Sequence, residues 1–77
     1  MKVELRCKPN QMAYYLDERQ ETIIPCVCNK VEMTLERGVE YYFDKFVYSF
    51  VDEEFDDEIF MDYNLACDKL EDLRNGK

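Results

Sequence analysis

Polar and apolar residues alternate at the start of the chain. In Lys2-Val3-Glu4-Leu5-Arg6-Cys7-Lys8, Val3, Leu5 and Cys7 share one side and the charged residues the other. That period of two predicts a half-buried strand over 2–8, ended by Pro9-Asn10. Residues 12–16, with Tyr14 and Tyr15, suit a pleated surface and predict a second strand. Residues 22–28 are β-branched and apolar, but Pro25 has no N–H for a ladder, so this segment is expected at an edge or with a break. Val31 to Leu35 alternates again. Gly38 is free to take the positive φ of a hairpin loop, which leads into Val39, Tyr41 and Phe43 on one side of a further strand. Asp44-Lys45 reads as a tight turn and 46–51 as a β-prone run. Val39, Phe43, Phe46 and Phe50 also fit helical spacing, so a helix over 39–51 competes. Aromatic and β-branched enrichment favours strands.

The period then changes. Phe55, Ile59, Tyr63, Ala66, Leu70 and Leu73 recur at steps of three and four residues, one apolar stripe on a helix. Asp52 is a candidate N-cap, Glu53, Glu54 and Asp56 would lie in the first turn, and Asn75-Gly76 is a natural stop. The spacing predicts a helix over 53–74. One such helix on one face of an antiparallel sheet buries both apolar surfaces. The expected fold is therefore α+β: a small antiparallel sheet of four to five strands packed by one C-terminal helix, in a single domain spanning 1–77.

Composition narrows the class. The 77 residues are 47% hydrophobic and 14% aromatic, too apolar for a disordered acidic tail. The formal charge is -8, with no histidine, which argues against direct contact with nucleic acid. No apolar run is long enough to span a membrane. The first residues lack the apolar core of a secretory leader, so the expected location is the cytoplasm.

The charge is unevenly placed. Residues 1–38 hold six acids and six bases, whereas residues 39–77 hold twelve acids and four bases. Eight acids and no base lie between Lys45 and Lys69: Asp52, Glu53, Glu54, Asp56, Asp57, Glu58, Asp62 and Asp68. Acids in a first helical turn are favoured by the macrodipole, but Glu54/Glu58 and Glu58/Asp62 are like-charge pairs at i, i+4 that oppose a helix. Solubility is one reason to tolerate them and a cationic partner is another. Carboxylates at that spacing are about 6 Å apart at Cβ, close to the separation of phosphates along a DNA strand. Met61 and Leu65 fall on the acidic side of the same helix, where they form an apolar anchor in a polar rim or are covered by a sheet edge or a second subunit.

Catalytic motifs are missing. There is no phosphate-cradling glycine loop, and Asp52 to Asp62 lacks the glycine of a calcium-binding EF-hand loop. Ser49, the one serine, has no histidine to activate it. Cys26-Val27-Cys28 is too closely spaced for a zinc knuckle, and disulfides need an oxidising compartment. Cys7, Cys26, Cys28 and Cys67 then read as small buried apolar side chains. No enzyme, cofactor or metal site is expected.

In size, acidity and the run Asp-Glu-Glu-Phe-Asp-Asp-Glu-Ile-Phe-Met-Asp over 52–62, the chain resembles small phage-encoded anti-defence proteins of the DNA-mimic and anti-CRISPR type. The resemblance is one of class and carries over no residue. It implies a non-catalytic inhibitor that occupies the basic nucleic-acid groove of a host enzyme, such as a Cas effector or another nuclease. The candidate contact residues are Asp52, Glu53, Glu54, Asp56, Asp57, Glu58, Met61, Asp62 and Leu65. The alternative is an interaction or assembly module, such as an antitoxin, a small complex subunit or a homo-oligomer.

Overall fold

The computed structural model describes residues 4–76. Five antiparallel strands form one curled sheet in the order β4-β3-β2-β1-β5: β1 Met12–Asp17, β2 Thr22–Thr34, β3 Gly38–Phe43, β4 Ser49–Val51 and β5 Ile59–Phe60. A short 3-10 turn, Asp52–Glu54, links β4 to β5, and one helix, α1 Tyr63–Asn75, closes the chain. The architecture is the expected α+β sheet and helix.

β2 is the spine. Its first half pairs with β1 (Thr22 opposite Asp17, Val27 opposite Met12) and its second half with β3 (Cys28 opposite Phe43, Thr34 opposite Gly38). An irregularity between Cys28 and Lys30 lets the strand bend where it changes partners. Pro25 sits in the half of β2 that is paired on one side only, which satisfies its missing N–H without removing β2 from the middle of the sheet. Gly38, at φ 78°, ends the β2–β3 hairpin as its sequence suggests.

β1 is apolar on both faces, and the two faces serve different cores. Ala13 and Tyr15 face the concave side, where Cys7, Cys26, Cys28, Tyr41, Phe43, Phe50, Phe55 and Ile59 close on one another as the sheet curls. Phe50 is the hub, with Phe43, Phe46, Tyr48 and Tyr15 rings centred 5.2–5.9 Å from it. Tyr14 and Leu16 face the other side, where Phe60, Ile23 and the helix residues Ala66, Leu70 and Leu73 form a smaller core.

Two expected elements differ. Glu4 to Lys8 do not form a strand, and Lys2 and Val3 lie outside the described residues. Instead the Arg6 backbone N–H donates to the Tyr41 hydroxyl at 2.9 Å and Cys7 drops fully into the concave core. A tertiary side-chain acceptor here replaces the ladder that alternation alone suggested. Residues 46–51 contribute only the three-residue β4, and the competing helix over 39–51 is replaced by β3 and β4.

The helix start is the larger correction. α1 begins ten residues after the expected position, capped by Asp62, whose carboxylate accepts the Asn64 N–H at 2.8 Å. Asp56 takes a positive φ of 66°, which a right-handed helix excludes. Phe55 and Ile59, read as the start of a helical stripe, point into the concave core. Phe60 turns to the opposite face, as period two requires, and Ile59-Phe60 pairs with Tyr15 and Tyr14 to cover the edge of β1. The like-charge pairs at i, i+4 were the local sign that this run prefers another conformation.

Candidate functional site

The acidic run is therefore a folded connection rather than a helical ridge. Asp52 accepts the Tyr41 hydroxyl at 2.8 Å. Burial, with Asp52 beside it, pushes the Tyr41 hydroxyl up to about 12. Glu54 accepts the Val51 N–H at 3.0 Å. Asp56 meets Arg6 at 2.6 Å, and the Arg6 guanidinium also lies 5.2 Å from the centre of the Phe55 ring. Asp57 lies 4.0 Å from Lys69 on the helix. Each contact fixes backbone that has no ladder of its own.

Most of the negative charge is still uncompensated. Of the eight acids between Lys45 and Lys69, only Asp56 and Asp57 lie within salt-bridge distance of a cation among the described residues. Hydrogen bonds from Tyr41, Val51 and Asn64 hold Asp52, Glu54 and Asp62 in place without cancelling their charge. Glu58 shows the result: partial burial, a shared proton with Glu54, and the charges of Glu54, Asp57 and Glu18 raise its carboxyl above the usual range.

The apolar pair expected beside these acids separates. Met61 is half-buried against the concave core, because it precedes α1 and follows the parity of Ile59. Leu65 is half-exposed on the helix. It lines a shallow groove of about 320 Å³ with Phe60, Asp56, Asp68, Lys69 and Asp72. Residues 65, 68, 69 and 72 fall on one helix face, the spacing of side-chain neighbours. That spacing was the available signal for Asp68, Lys69 and Asp72, which the candidate set lacked. The structure thus joins Asp56 and Leu65 in one groove. Asp57 stands beside it through Lys69, and Met61 is removed to the core.

The remaining chemistry is quiet. Burial pushes the Cys7 thiol up to about 12 and the Cys26 thiol to about 11, the state of inert core thiols rather than nucleophiles. Cys67 is a half-buried free thiol on α1. No group of three His, Cys, Asp or Glu side chains among the described residues is placed to hold a metal ion. No helix among them is long and apolar enough to cross a membrane. No protein-family model, curated protein or solved structure matches this chain.

Proposed function

We propose that this protein is a non-catalytic inhibitor that binds the basic nucleic-acid-binding groove of another protein, such as a Cas effector or another nuclease. The observation that carries the reading is the uncompensated charge: six of the eight acids between Lys45 and Lys69 have no cation partner among the described residues. A basic groove supplies the missing cations and is drawn to the negative face at long range. Leu65, beside Asp56, Asp68 and Asp72, adds apolar contact area inside a charged rim. The mimicry is that of an irregular charged surface, since the acids do not form a regular helical row.

Competition tests it. The protein is titrated into purified Cas effectors and other nucleases that hold labelled double-stranded DNA. Displacement of DNA from at least one of them, weakened by added salt, is expected. Retention of DNA by all of them contradicts the reading.

A further inference from the structure

β3 ends at Phe43 and β4 begins at Ser49, and the loop between them is fastened at its base. Asp44 donates its N–H to the Val27 carbonyl at 3.0 Å and accepts the Val27 N–H at 3.0 Å. Phe46 donates its N–H to the Phe43 carbonyl at 3.2 Å and turns its ring inward, centred 4.8 Å from Tyr15 and 5.4 Å from Phe50. Tyr48 rests on the same cluster, 5.2 Å from Phe50 and 5.6 Å from Phe46, and is still half-exposed. Val47, between them, is fully exposed. A loop held in this way presents its apolar tip to a partner at little ordering cost.

The tip is joined to the acidic connection through β1. Tyr15, packed against Phe46 and Phe50, pairs with Ile59, and the next residue, Leu16, donates its N–H to the Glu58 carbonyl at 2.8 Å. Glu58 in turn donates its N–H to the Glu54 carbonyl at 2.8 Å. Burial, then Tyr48, then the charge of Glu58 push the Tyr15 hydroxyl up to about 12, so both neighbours lie around it. Neither Glu54 nor Glu58 has a cation partner among the described residues.

An exposed aromatic ring beside carboxylates repeats the two chemistries of an unpaired nucleotide, a planar base and an anionic phosphate. Grooves that bind single strands answer both, with basic side chains along the backbone and aromatic side chains on which the bases stack. Inside a duplex the bases are stacked on one another and closed to such a platform. The irregular path of the acidic connection fits the same groove, because a flexible single strand imposes no fixed spacing on its phosphates.

We propose that Val47 and Tyr48 enter the base-stacking part of a single-strand-binding groove while Glu54 and Glu58 meet its cations. This rests on the inhibitor reading and narrows it to partners that hold a single strand, among them effectors that open duplex DNA and stabilise the displaced strand.

The same Cas effectors and nucleases are loaded with labelled single-stranded DNA in one series and labelled double-stranded DNA in another. Wild type is expected to displace the single strand at the lower concentration. Val47→Asp adds a negative charge, so it strengthens an interaction held by charge alone. Here it weakens competition for the single strand by on the order of tenfold, as does Tyr48→Ala. Full exposure of Val47 keeps folding out of that comparison. Leu35→Asp makes the same charge change at a fully exposed position beyond the other end of β3, and leaves competition at the wild-type level. Displacement of the duplex at a lower concentration than the single strand overturns the inference and leaves the inhibitor reading standing. So does a Val47→Asp protein that competes as well as wild type, or a Leu35→Asp protein that loses as much. Retention of both kinds of DNA by every protein overturns the two together.

Discussion

The connection 52–62 and the helix 63–75 carry the same kind of acidic side chain to different ends. In the connection, Asp52, Glu54, Asp56 and Asp62 each answer a particular donor: the Tyr41 hydroxyl, the Val51 N–H, the Arg6 guanidinium and the Asn64 N–H. On the helix, Asp68 and Asp72 have no salt-bridge partner among the described residues and border the groove around Leu65. The first group gives an irregular loop its shape. The second is displayed by a helix that would form without it. A run of acids is thus a mixture of structural and surface groups, separated by which donors lie within reach.

Substitutions sharpen that contrast. Tyr41→Phe has the largest expected effect, about 1–3 kcal/mol in urea unfolding, because it leaves the Arg6 N–H and Asp52 without their shared partner. An unchanged midpoint breaks the claim that Tyr41 fastens the loop. Asp62→Ala removes the N-cap and costs about 0.5–2 kcal/mol, read in the same titration and as lost helical circular dichroism.

Glu58→Gln works in the opposite direction. The folded state holds the Glu58 proton more tightly than the unfolded chain does, so this group contributes stability at low pH that is lost as pH rises through its folded value. The glutamine variant therefore melts higher than wild type at neutral pH, and its advantage disappears on acidification below the ordinary glutamate range. A lower melting temperature at neutral pH contradicts the clustering of Glu54, Asp57 and Glu18 around it. Asp68→Asn with Asp72→Asn has the smallest effect, within about 0.5 kcal/mol of wild type. A larger loss places the helix acids in the structural group as well.

Local patterns carried the fold where local forces decide it. Aromatic residues suited to a pleated surface marked β1, alternation marked β3, Gly38 marked the hairpin, and Ala66, Leu70 and Leu73 marked the packed face of α1. The N-terminal alternation misled because Cys7 and the Arg6 N–H find tertiary partners, a buried core and Tyr41, that no local period contains. Phe55 and Ile59 misled for a related reason. A spacing of four fits a helical stripe and fits equally a turn that places both in the concave core. In the candidate site, Leu65 was legible as an exposed apolar residue among acids. Met61 was misplaced because its environment depended on where the helix begins.

The central functional claim is that uncompensated carboxylates hold a cationic partner. Its most direct measurement is the affinity for a DNA-binding nuclease across a series of salt concentrations, for wild type and for the triple variant Glu53→Lys, Glu58→Lys, Asp68→Lys, three acids with no cation partner among the described residues. Affinity that falls steeply with salt is expected for wild type, and weak, nearly salt-independent binding for the variant. Equal affinity and equally flat salt dependence in the two proteins would contradict it.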